Sequence, residues 1–153
     1  MGVEVQGLDL VHKHIRKAME QAEAEVIRVL SYLGEQCVIE ARDRSPEESW
    51  YDQTGNLRNS VGYCIVQRGE IVSMSGFKGK DDGAESGKGL AESVAKTITG
   101  KYALIVVAGM HYAVYVEAME NKVVLASAEL YARKRLPDLM RRLNQKLSEN
   151  VDR

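Results

Sequence analysis

One long helical stripe constrains this chain more than any other feature. Apolar residues recur at Leu8, Val11, Ile15, Ala18, Ala22, Val26, Val29, Leu33, Cys37 and Ala41. Steps of three and four place them all on one face of a single helix. The opposite face carries Lys13, Arg16, Lys17, Glu20, Glu23 and Arg28. Asp9 suits the N-cap or first turn, where a carboxylate meets the positive end of the helix dipole. Pro46 drives its predecessor out of the α region, so the helix is expected to stop at Arg44 or Ser45. About 35 residues at 1.5 Å each make a rod about 50 Å long. A small sheet cannot cover so long a stripe, and part of it is expected to pack on a neighbouring subunit.

After a polar, turn-rich stretch from Ser45 to Ser60, two short strands are expected at Val61–Gln67 and Ile71–Phe77. They are joined by a hairpin turn at Arg68-Gly69-Glu70 in which glycine supplies a positive φ. Gly79–Gly89 is rich in glycine, and a flexible loop is expected over 78–89. A short helix over Leu90–Ile98 would place Leu90, Val94 and Ile98 on one face. Tyr102–Ala108 is the strongest strand, and its nearly continuous apolar run predicts a central position. Val123–Leu125 reads as a last strand. Ala126–Glu149 reads as a second helix, either kinked at Pro137 or restarted there. The fold class is therefore α+β: a long N-terminal helix, a four-stranded, mainly antiparallel sheet, and a C-terminal helix packed on the sheet. The 153 residues are expected to form one domain.

Several function classes find little support. The formal net charge is -1 and the pI near 6.3, so no global basic field is present to hold a phosphate backbone. One Trp and one Phe give little for base stacking. No apolar run approaches the roughly 20 residues that span a bilayer, and no membrane partner is expected. The N-terminus lacks the basic and apolar regions of a signal peptide. Cys37 and Cys64 lie far apart without a CxxC spacing, and both are expected as reduced, buried thiols.

Site chemistry is equally sparse. His12 and His14 stand two apart on a helix and so point to different faces. His111 has no Cys or second His nearby, and no metal site is expected. Gly83–Lys88 approaches a phosphate-binding loop, but the motif is one residue short and Gly89 stands where Ser or Thr is required. Glu47, Glu48 and Asp52 fall in a solvated loop. No catalytic residue and no cofactor is assigned. The strongest charge feature is the basic side of the C-terminal helix, Arg133, Lys134, Arg135, Arg141 and Arg142. It is either a solvated face or a partner-facing one, turned to an acidic protein or to DNA.

Two segments carry a resemblance. Thr54-Gly-Asn-Leu-Arg-Asn-Ser60 precedes the first strand, and His111-Tyr-Ala-Val-Tyr-Val-Glu117 follows the strong strand. In that order, between a long N-terminal and a C-terminal helix, they resemble the tail-completion or head–tail joining proteins of long-tailed phages and prophages. The matching positions are Thr54, Gly55, Leu57, Arg58, Ser60, Tyr112, Ala113, Val116 and Glu117. The chain departs from the family pattern at Ala118-Met119-Glu120-Asn121, where Phe-Gly-Thr is usual, and before the last helix, where a Pro-aromatic step is usual. The resemblance implies a non-enzymatic virion component assembled in the bacterial host cytoplasm. It further implies a homo-oligomer, a hexameric ring among the possibilities, contacting head-connector and tail-tube proteins and meeting DNA only as it passes. The residues themselves leave two alternatives: a nucleic-acid-binding module using the basic C-terminal helix, and a small phage-encoded hydrolase.

Overall fold

The computed structural model describes residues 7–42, 56–78, 82–109 and 125–151. Helix α1 spans Leu8–Arg42, 35 residues with Asp9 in its first turn, as the apolar spacing predicts. One helical turn, α2 (Asn56–Asn59), leads into strand β1 (Val61–Gln67). Strand β2 (Glu70–Ser75) returns antiparallel to it. Arg68 (φ 50) and Gly69 (φ 83) form the two-residue turn between them, the mirror-image turn whose twist suits a hairpin. Helix α3 (Asp82–Ala95), strand β3 (Tyr102–Ala108) and helix α4 (Ala126–Val151) complete the described chain.

The protein is α+β. Its sheet has three antiparallel strands among the described residues, in the order β2-β1-β3, where four were expected. Of the expected fourth strand, Val123 and Val124 lie outside the described residues. Leu125 is a bend that accepts the first hydrogen bond of α4, from the Glu129 N–H at 3.0 Å.

Among the described residues the central strand is β1, not β3. β1 pairs along both edges and is buried almost throughout. Its alternation splits the core in two. Val61, Tyr63 and Ile65 face α1 and α4, packing with Leu33, Val38 and Leu143. Cys64 and Val66 face α3, packing with Ala91, Ala95 and Ile105. β3 reads as central in the sequence because helices cover both of its faces: Leu104 and Val106 pack on the first core, Ile105 and Val107 on the second. Coverage of two faces makes a strand apolar whether one or both of its edges are paired.

The segment expected as a flexible loop at 78–89 is, from Asp82 onward, the first half of α3. Its buried side is Gly83, Ala84, Gly87, Ala91 and Ala95. Glycine serves close approach here. A Cβ on Gly87 would sit 2.5 Å from the Phe77 ring and would also strike the Ser60 carbonyl. A Cβ on Gly62 would sit 2.7 Å from the same ring. Phe77 is thus held between β1 and α3 where no larger residue fits. Of the three residues expected on one face, Leu90 is 40% exposed, while Val94 and Ile98 pack inward.

α4 runs through Pro137 as one helix and lies antiparallel to α1. Cys37 Sγ donates to the Ala128 carbonyl at 3.6 Å near the start of α4, and Lys146 meets Glu25 at 3.0 Å near its end. Among the described residues no helix is long and apolar enough to cross a membrane.

Candidate assembly surfaces

The described part of the motif before β1 sits where α1, α2, β1, β2, β3 and α3 meet. Arg42, the last residue of α1 and only 9% exposed, reaches across to it. Its Nε donates to the Arg58 carbonyl at 3.0 Å and its Nη2 to the Val61 carbonyl at 2.7 Å. Nη2 also donates to the Gly76 carbonyl beyond β2. One guanidinium so fastens α1, α2, β1 and the end of β2 through one buried and two part-buried main-chain acceptors. Ser60 is fully buried, and its carbonyl accepts the Gly109 N–H at 3.1 Å. Gly109 directly follows β3 and abuts Gly87 of α3.

This bond bears on the two motifs. Ser60 ends the first, and Gly109 stands two residues before His111, which opens the second. The antiparallel pairing of β1 with β3 therefore brings the entrance of one and the approach to the other to the same end of the sheet. Thr54, Gly55, Tyr112, Ala113, Val116 and Glu117 lie outside the described residues, as does the side chain of Leu57. Sequence reasoning missed Arg42. The available signal was its place four residues after Val38, an arginine on the buried stripe.

The far end of the molecule is different. Leu8, Val11, Ile15 and Met19 are 48%, 51%, 53% and 55% exposed. The first deeply buried apolar residue of α1 is Val29. Where α4 ends, a groove of about 780 Å³ opens, lined by Ile15, Ala18 and Ala22 of α1 and by Leu147 and Asn150 of α4. Beyond it the α1 stripe continues with no described residue over it. Single exposed apolar side chains are ordinary, but a contiguous helical face of them marks an interaction surface. At mid-helix α1 is tied to the sheet by Glu23, which meets Arg68 at 2.5 Å and Lys101 at 3.7 Å.

The basic side of α4 is largely engaged within its own helix. Arg133 meets Glu129 at 2.7 Å, and Asp138 gathers Arg135 at 3.8 Å, Arg142 at 3.2 Å and Arg141. Lys134 is exposed. These pairs cancel much of the field that the sequence suggests.

A cleft of about 430 Å³ lies between α1, β3 and the start of α4, lined mostly by carbon with Cys37 at its floor and Glu129 at its rim. Burial, with the Glu40 charge adding to it, pushes the Cys37 thiol up to about 11, so the reactive thiolate is scarce at neutral pH. Both cysteines are free and buried. Tyr63, whose ring fits against Gly34 of α1, donates to Glu35 Oε1 at 3.1 Å. Burial first, and that carboxylate second, raise its hydroxyl above the ordinary range. Among the described residues no group of three or more His, Cys, Asp or Glu is placed to hold a metal ion.

No protein-family model, no curated protein and no solved structure matches this chain.

Proposed function

We propose that this chain is a structural subunit of the head–tail junction of a tailed phage or prophage, acting as a tail-completion, tail-terminator or head–tail joining protein. It works by gripping copies of itself and neighbouring virion proteins, not by catalysis. The observation that carries this reading is the half-exposed apolar face over the first turns of α1, on Leu8, Val11, Ile15 and Met19. A helix that extends its apolar stripe past the end of the helix it pairs with is built to be covered by another molecule. The bond from the Gly109 N–H to the Ser60 carbonyl, which joins the end of the first motif to the approach to the second, supports the same reading, because the resemblance rests on those motifs. Head-connector and tail-tube proteins are the other partners, and DNA meets the assembly only in passage.

The intrahelical pairing of Arg133, Arg135, Arg141 and Arg142 weighs against a duplex-binding module. The raised Cys37 thiol in a mostly apolar cleft weighs against nucleophilic chemistry there.

The test is electron microscopy of the purified chain and of tails that carry it. Rings, or density for the chain at the tail's head-proximal end, are expected. Tails of normal length and closure in its absence, or a measured catalytic turnover, would overturn the proposal.

A further inference from the structure

Gly89 stands in the middle of α3, and a Cβ added there would meet nothing within 4 Å. Glycine inside a helix costs stability relative to alanine. Unlike Gly87, this one relieves no crowding within the described chain. Ser86 and Ser93, three residues before it and four after it, are exposed as Gly89 is. The outer surface of α3 is therefore a smooth strip beside the half-exposed Leu90. Ser93 Oγ donates to the Gly89 carbonyl at 3.0 Å, so an apolar body can cover that hydroxyl without stranding it. The strip is acidic: Asp82, Glu85 and Glu92 against Lys88 alone within α3.

The exposed half of α1 is its converse. It presents large apolar side chains, and from Leu8 to Met19 it carries Lys13, Arg16 and Lys17 against Asp9. We propose that the N-terminal half of α1 in one copy docks on the outer face of α3 in the next. Leu8, Val11, Ile15 and Met19 lie over Ser86, Gly89 and Ser93, with opposite charges along the borders. This deepens, and rests on, the reading of the chain as a self-assembling subunit.

Charge selects the occupant. A second α1 would set cations against cations and the paired arginines of α4 offer little net attraction, whereas α3 sets carboxylates against them. The two surfaces lie on opposite faces of the sheet, α1 packing on Tyr63 and Ile65 and α3 on Cys64 and Val66. The contact is therefore heterologous: each copy inserts at one face and receives at the other, and successive contacts close into a ring or run on as a filament.

Sedimentation velocity on the full chain tests this with two variants. Ile15→Glu/Met19→Glu spoils the inserted surface, and Gly89→Leu fills the receiving one where the fold has open space. Circular dichroism confirms that each variant is folded. The wild type is expected to form species larger than a dimer, and each variant is expected to associate at least about tenfold more weakly. An equal mixture of the two is expected to form dimers and nothing larger, because only one intact insert meets one intact seat. Wild-type assembly by Gly89→Leu alongside a dissociated Ile15→Glu/Met19→Glu would overturn the α3 seat and leave self-assembly standing. A wild type that stays monomeric at every concentration would overturn the docking, and retention of that monomer on anionic vesicles would assign the α1 stripe to a lipid surface. The head–tail reading is judged separately, by the images of tails.

Discussion

The two halves of α1 share one apolar spacing and meet opposite fates. From Val29 to Ala41 the stripe is buried against β1 and α4, and Arg42 closes it with bonds to three carbonyls. From Leu8 to Met19 the same spacing leaves side chains about half exposed. Nothing in the local pattern separates them. The difference is set by how far the sheet and α4 extend. Periodicity therefore specifies that a face is to be covered, and tertiary extent decides whether the chain covers it or another molecule does.

The sharpest way to break this comparison is at Arg42. Arg42→Met removes the donor from one buried and two part-buried carbonyls, and an unsatisfied buried acceptor costs about 1–3 kcal/mol. A loss of about 4 kcal/mol is expected, read as a lower urea midpoint at unchanged slope. A loss under about 1 kcal/mol would mean that water replaces the guanidinium and that the junction is not held by it.

Leu33 and Ile15 make the direct pair. Leu33 is 2% exposed and Ile15 is 53% exposed. Leu33→Ala is expected to cost about 3 kcal/mol. Ile15→Ala is expected to change the stability of the monomer by under about 0.5 kcal/mol. Equal losses at the two sites, measured at concentrations too low for association, would erase the distinction between the halves.

The glycines sharpen it further. A Cβ on Gly34 would stand 2.6 Å from the ring of Tyr63, itself buried, so Gly34→Ala is expected to cost about 2 kcal/mol through overpacking. Gly89→Ala meets open space and is expected to raise the monomer's stability by up to about 1 kcal/mol through helix propensity. Thermal melts of the two variants should move in opposite directions.

These sites also mark where the sequence was legible. α1, β1, β2 and β3 follow from residues large enough to produce a clear period, and the Arg68-Gly69 turn from its glycine. The first half of α3 reads as a loop in the sequence because its core side is Gly83, Ala84, Gly87, Ala91 and Ala95. Small residues carry little hydrophobic signal, and their meaning depends on the ring of Phe77, which lies before the helix in sequence. β3 reads as central for a related reason, since coverage by helices and pairing along an edge leave the same apolar run. Of the candidate assembly residues, Ser60 meets Gly109 and Arg58 meets Arg42 through long-range bonds that no spacing reveals. Arg42 is not legible as a buried clamp because charge at a helix end ordinarily reads as solvated.

The smallest expected effect lies at the border of the two halves, at Glu25. Hydrogen bonds from Lys146 first and Arg28 second hold its carboxyl below the ordinary value of 4.5. A folded-state pKa that is depressed adds stability above the unfolded value, and that stability is lost as the pH falls through the folded one. The pairs are exposed, so the contribution is small and screened by salt. Glu25→Gln is therefore expected to lower the urea midpoint slightly at pH 7, with the gap from wild type closing as the pH drops below 4.5. High salt should close the same gap at pH 7. A gap that stays constant down to pH 3 would mean that Glu25 acts through its packing against α4 and not through its charge. The seam between α1 and α4 would then end on shape alone, and the exposed half of α1 would begin where contact stops.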